Sequence, residues 1–82
     1  MTCQETIKEL TLLLLYLTSW EEKEPLTNHN FYRAWKKHNW ETIDKLAEEE
    51  LIYDDHGRKS ANLSDKGAEM TKNLVGKYGI TL

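Results

Sequence analysis

Five cations fall in two short stretches of the sequence, Arg33, Lys36 and Lys37 in one and Arg58 and Lys59 in the other. Cations so placed can straddle the phosphates of a polyanion without any helix entering a groove. Phe31, Tyr32, Trp35 and Trp40 interleave with the first cluster, a mixture that also suits base stacking on a single strand. Phe31, Trp35 and Trp40, however, fall on apolar stripes at helical spacing, so they are expected to supply core, with Tyr32 the exposed one. Opposed to the cations is an acidic stretch. Between Asn39 and Leu51 stand Glu41, Asp44, Glu48, Glu49 and Glu50 against Lys45 alone. A helix that enters a groove lies beside phosphates and has to be neutral or basic. Glu41, Asp44 and Glu48 are therefore read as an acidic face for a basic protein surface.

The other arrangements that carry chemistry do not assemble. His29, His38 and His56 are far apart, with no pair at the i, i+4 spacing that offers two imidazoles to one metal. Cys3 is the single cysteine, which excludes an internal disulfide and a thiolate zinc knuckle and fits a reducing, cytoplasmic setting. Ser60 and Ser64 have no nucleophile elbow around them, no glycine-rich phosphate loop occurs, and the acidic pairs are neighbours in sequence. The expectation is a binding protein and not an enzyme, with no catalytic residue, no metal and no cofactor.

The elements that must position these groups can be read from periodicity. Thr2 and Glu5 stand at capping-box spacing, and Ile7, Leu10, Leu14 and Leu17 recur on one helical face, predicting a first helix from Thr2 to Trp20. Its later turns, Leu12 to Leu17, are apolar around nearly the whole circumference and must be enclosed on more than one side. Leu12, Leu13, Leu15 and Tyr16 are the candidate dimer or partner face. Glu21-Glu22-Lys23-Glu24-Pro25 reads as a linker, because a residue before proline is pushed out of the α region. Asn28 or Asn30 would cap a second helix with Phe31, Ala34 and Trp35 inward, ending near His38. Asn39 caps a third, to Glu50, striped by Trp40, Ile43, Leu46, Ala47 and Leu51. Leu51-Ile52-Tyr53 and Lys59 to Leu63 flank Asp54-Asp55-His56-Gly57 as a hairpin, with Ala61 and Leu63 on its buried side. Ser64 caps a last helix that stacks Met70, Leu74 and Tyr78.

The chain of 82 residues reads as one domain, residues 1–82, with 39% apolar and 30% charged residues. Its net charge of −3 supplies no global attraction to nucleic acid. The apolar run Leu12 to Leu17 is far short of the ~18 residues a membrane span needs. Glu5 and Glu9 before it and Trp20-Glu21-Glu22 after it are unlike the flanks of a secretory signal.

From Leu46 through Leu51-Ile52 to Leu63-Ser64 and Gly67, the chain resembles the helix-to-wing junction of winged-helix domains, over about Thr27 to Leu74. The resemblance implies a mostly α, winged-helix-like fold: three helices, a β-hairpin wing and a C-terminal helix. A closer resemblance, carried by Arg33-Ala34-Trp35-Lys36, Asn39-Trp40, Leu51-Ile52 and Lys59-Ser60, is to a family of small bacterial proteins catalogued as a domain of unknown function. Glu50 stands where that pattern has glycine, and Asn39 where it has aspartate. On this reading an interaction or dimerisation module, a homodimer or a partner of another protein, is favoured. The alternative is a DNA-binding regulator holding phosphates with Arg33, Lys36, Lys37, Arg58 and Lys59; the acidic third helix weighs against it.

Overall fold

The computed structural model describes residues 3–23, 25–26, 30–54 and 57–81. In chain order these form α1 (Cys3–Leu17), β1 (Trp20–Lys23), β2 (Asn30–Trp35), α2 (Trp40–Glu48), β3 (Ile52–Asp54), β4 (Ser60–Leu63) and α3 (Asp65–Lys77). The strands make one antiparallel sheet in the order β1-β2-β4-β3. Three helices, the last of them closing the chain, and a four-stranded sheet that includes the β3–β4 hairpin give a small mixed α/β architecture consistent with the winged-helix-like description. The expected roles of Thr2, Glu24, Asn28, His29, Asp55 and His56 lie outside the described residues.

One element differs in kind from the sequence reading. Residues 30–35 form a strand, not a second helix, and residues 20–23, read as the end of the first helix and the start of a linker, form its partner. Phe31, Ala34 and Trp35 fit a helical stripe, but the same six residues also alternate, with Tyr32 and Ala34 on one side and Phe31, Arg33 and Trp35 on the other. Pairing decides between the two periods. β2 is bonded on both edges, to β1 and to β4, which satisfies its backbone groups more fully than one short helix could. The first helix ends three residues earlier than expected. The Thr18 and Ser19 hydroxyls turn back onto the Leu14 and Tyr16 carbonyls, at 2.8 and 2.6 Å, leaving Trp20 free to open β1.

The core lies between the helices and one face of the sheet. Tyr32, Ala34, Ile52, Ala61 and Leu63 project to that side in register, and Leu12, Leu13 and Leu15 of α1, Ile43 and Leu46 of α2 and Leu74 of α3 meet them. This corrects the assignment of the candidate partner face. Leu12, Leu13 and Leu15 are almost wholly buried inside their own chain, and Tyr16 packs edge-on against Tyr32 with ring centroids 5.6 Å apart. None of the three leucines has surface left to give a partner.

The junction between α2 and the β3–β4 hairpin is a knot of backbone contacts around Leu51. α2 closes with Leu51 N–H donating to Leu46 C=O and Glu50 N–H to Ala47 C=O, both 3.0 Å, the paired bonds of a Schellman cap. That cap places Glu50 at φ 61, a left-handed conformation that glycine adopts without cost. Ser64 then binds the junction twice, its N–H donating to Leu51 C=O at 3.0 Å and its hydroxyl to Glu50 C=O at 2.6 Å. The same hydroxyl accepts the Gly67 N–H at 2.9 Å and so caps α3. Gly67 is packed so closely that a Cβ there would lie 2.0 Å from the Leu51 carbonyl oxygen.

Two substitutions test the junction in opposite directions. Glu50→Gly is expected to stabilise the fold by about 1 kcal/mol by relieving the left-handed side chain. Gly67→Ala is expected to destabilise it by about 2–3 kcal/mol, since backbone must shift to admit the methyl group. Urea midpoints at unchanged slope report both.

Candidate functional site

The register of β2 on β4 brings the two basic stretches together. Trp35 is opposite Ser60, and Lys36 N–H continues the pairing to Lys59 C=O at 2.8 Å. Lys36 and Lys37 therefore run beside Lys59 and Arg58. With Trp35, Trp40 and Asp54 they line a cleft of ≈ 530 Å³ between this end of the sheet and the start of α2. A second, shallower groove on the outer sheet face is lined by Arg33, Tyr53 and Asn62 and shares Asp54 and Arg58 with the first. All five cations singled out in the sequence thus border one continuous surface.

They are not equivalent on it. Lys36 reaches Asp54 at 2.5 Å, and the Asp54 side chain is only 3% exposed, so this ion pair ties the end of β2 to the hairpin under the cleft floor. Arg33 lies over the Phe31 ring, 5.5 Å from its centroid, and faces Glu22 at 3.4 Å. Lys37 and Lys59 are exposed and form no ion pair among the described residues; Arg58 is exposed beside them. Lys36 is thus built into the fold, and Lys37, Arg58 and Lys59 are presented to solvent.

The indoles differ most from expectation. Trp35 and Trp40, expected in the core, are 52% and 71% exposed. Trp35 projects from the side of β2 opposite Ala34, and Trp40 occupies the first turn of α2, whose inward positions are filled by Ile43 and Leu46. Trp20 leans on Trp35 with centroids 5.2 Å apart, while Tyr32, expected outside, packs against the core. Tyr53 is a further exposed ring, set in one cross-sheet row with Asn62, Arg33 and Trp20. The period-two alternation of residues 31–35 was the available signal for this arrangement. Glu41, Asp44 and Glu48 all face solvent. Among the described residues no three His, Cys, Asp or Glu side chains gather to hold a metal ion, and no helix is long and apolar enough to cross a membrane.

A second surface lies on α1. Ile7, Leu10, Leu14 and Leu17 are each 43–49% exposed, at the 3-4-3 spacing of a heptad seam. They lie opposite the face that carries Leu12 and Leu15. The charges of α1 point the other way, toward its neighbours. Lys8 binds Glu49 of the α2 cap at 2.6 Å, and Glu9 accepts from Lys77 at 2.7 Å and from the Tyr78 hydroxyl at 2.8 Å. These two bonds, Lys77 first, hold the Glu9 carboxyl below its ordinary value, while Glu9 raises Lys77 and Tyr78 above theirs.

A family model described as a domain of unknown function (DUF6429) matches residues 3–81. No curated protein and no solved structure matches the chain.

Lys36→Ala removes the ammonium bound to the buried Asp54 carboxylate and is expected to destabilise the fold by about 2–3 kcal/mol. Lys37→Ala is expected to change stability by no more than about 0.5 kcal/mol; urea unfolding of the two variants separates the structural lysine from the presented one. The Glu9 cluster predicts a pH response at both ends. The lowered Glu9 contributes stability that is complete above the ordinary carboxylate value and is lost as pH falls through the lowered one. Raised Lys77 and Tyr78 contribute stability that is complete below their ordinary values and is lost as pH rises through the raised ones. Glu9→Gln is expected to flatten both limbs of the urea midpoint against pH.

Proposed function

We propose that this chain, which belongs to the DUF6429 family, is a self-associating binding module whose dimer seam is the outward face of α1. The observation that carries this reading is the inverted polarity of that helix. A surface helix ordinarily turns its charges to water and its apolar stripe to the core. On α1 the charged Lys8 and Glu9 are engaged with α2 and α3, and the half turned to solvent holds Ile7, Leu10, Leu14 and Leu17 flanked by Gln4, Thr6, Thr11 and Thr18.

A second copy of the chain fits this face. Flanking charges are what give a heptad seam its preference for a different partner, and here the flanks are uncharged, so two copies meet without repulsion in an isologous contact. The seam is two heptads long, too short to order an isolated helix, but the buried face of α1 already holds the helix in the fold. Duplex recognition in the helix-turn-helix manner has less support. α2 is preceded by a strand in place of a bracing helix, and its outward side carries Glu41, Asp44 and Glu48.

Light scattering is expected to give twice the chain's 9.7 kDa. Leu10→Glu and Leu14→Glu, each at a half-exposed position, are expected to give a monomer with unchanged circular dichroism. A wild-type chain that stays monomeric at high concentration, or a dimer indifferent to both substitutions, overturns the proposal.

A further inference from the structure

We infer that the cleft at the end of the sheet, together with the outer sheet face that continues it, is a binding site for single-stranded nucleic acid. Such ligands are held by two features used together, flat rings on which successive bases stack and cations that follow the backbone between them. Both are present here on one surface. Trp40 and Trp35 stand exposed at the cleft, Trp20 leans on Trp35, and Tyr53 stands exposed on the adjoining groove. Lys37, Arg58 and Lys59 lie among these rings, exposed to solvent.

The placement is specific in its chemistry. An exposed indole costs water-ordered apolar surface, and two of them beside a lysine run in a chain with three tryptophans is not what core formation requires. Among the described residues that line the cleft and its groove the acid is Asp54, engaged with Lys36, and Glu22 nearby is engaged with Arg33 and with the Trp20 indole N–H at 3.0 Å. The cleft therefore presents net positive charge although the chain as a whole is acidic. Duplex is the poorer fit. Its bases are stacked on one another and offer the indoles no face, and the helix beside the cleft turns Glu41, Asp44 and Glu48 outward, where a second strand's phosphates would lie. Single strands of DNA and RNA share the chemistry that these residues recognise, a ring face and a phosphate at each step.

The site lies within one chain, so it stands or falls independently of the α1 seam. The test is fluorescence anisotropy of the full chain with end-labelled mixed-sequence oligonucleotides of ~16 nucleotides. Single-stranded DNA, single-stranded RNA and the DNA duplex of the same sequence are compared over a range of salt, with heparin, an anion without bases, as competitor. One or both single strands are expected to bind at least about tenfold more tightly than duplex, and Trp35→Ala with Trp40→Ala to weaken that binding about tenfold or more. Lys37→Ala with Lys59→Ala is expected to reduce the slope of log affinity against log salt by about 1.4. Leu14→Glu is expected to leave single-strand binding per chain in place. No binding of either single strand at low salt overturns the inference. So does equal or tighter binding of duplex, or heparin displacement accompanied by indifference to loss of both indoles, which would mark a charge patch that reads no bases. The indoles are more than half exposed, so their variants keep the fold, and an unchanged urea midpoint verifies it.

Discussion

The backbone of Leu51 is the point on which the domain turns. Its N–H ends α2, its carbonyl receives the chain as β4 passes into α3, and its Cα region meets Gly67 with no room for a side chain. Three of the seven elements are thereby fixed relative to one another by main-chain groups, which tolerate little variation in distance. β3 departs from the same residue, so the hairpin and the basic residues at its tip inherit their position from this knot. A domain of this size has few buried apolar residues with which to define such angles, and bonding of backbone to backbone does part of that work.

The parts of the fold governed by local chemistry were legible in the sequence. Asn39 as a cap, the α2 stripe of Ile43 and Leu46, the hairpin around Gly57, the alternation of Ala61 and Leu63 and the capping Ser64 all follow from one residue acting on its neighbours. The glycine absent at Glu50 is likewise accounted for by a left-handed cap. Residues 20–35 were not legible, because a strand of four and one of six acquire their identity from partners distant in sequence. Phe31, Ala34 and Trp35 satisfy the helical period and the strand period alike, and only the bonds to β1 and β4 choose between them.

The same ambiguity governed the surfaces. Assigning Trp35 to the core followed from reading residues 28–38 as a helix, and once those residues become a strand, Trp35 turns to the solvent side. Trp40 falls on the stripe of the helix capped by Asn39, which forms, but it stands in the exposed first turn. The five basic residues stand out in the sequence, yet that Lys36 and Lys59 are neighbours depends on strand register and no linear spacing encodes it. On α1 the sequence made plain that the helix is apolar on two sides. It did not say which side the chain itself would cover, and the chain covers the one with Leu12, Leu13 and Leu15.

Placement of the aromatic residues also governs what the molecule emits. All three tryptophans stand at one end of the sheet, Trp20 against Trp35 and Trp35 and Trp40 around a single cleft, and none lies on α1. Intrinsic fluorescence of this protein is therefore an optical report on that end alone: sensitive to quenching by a solute entering the cleft, red-shifted already in the native state by the exposure of Trp40, and silent to events along the first helix.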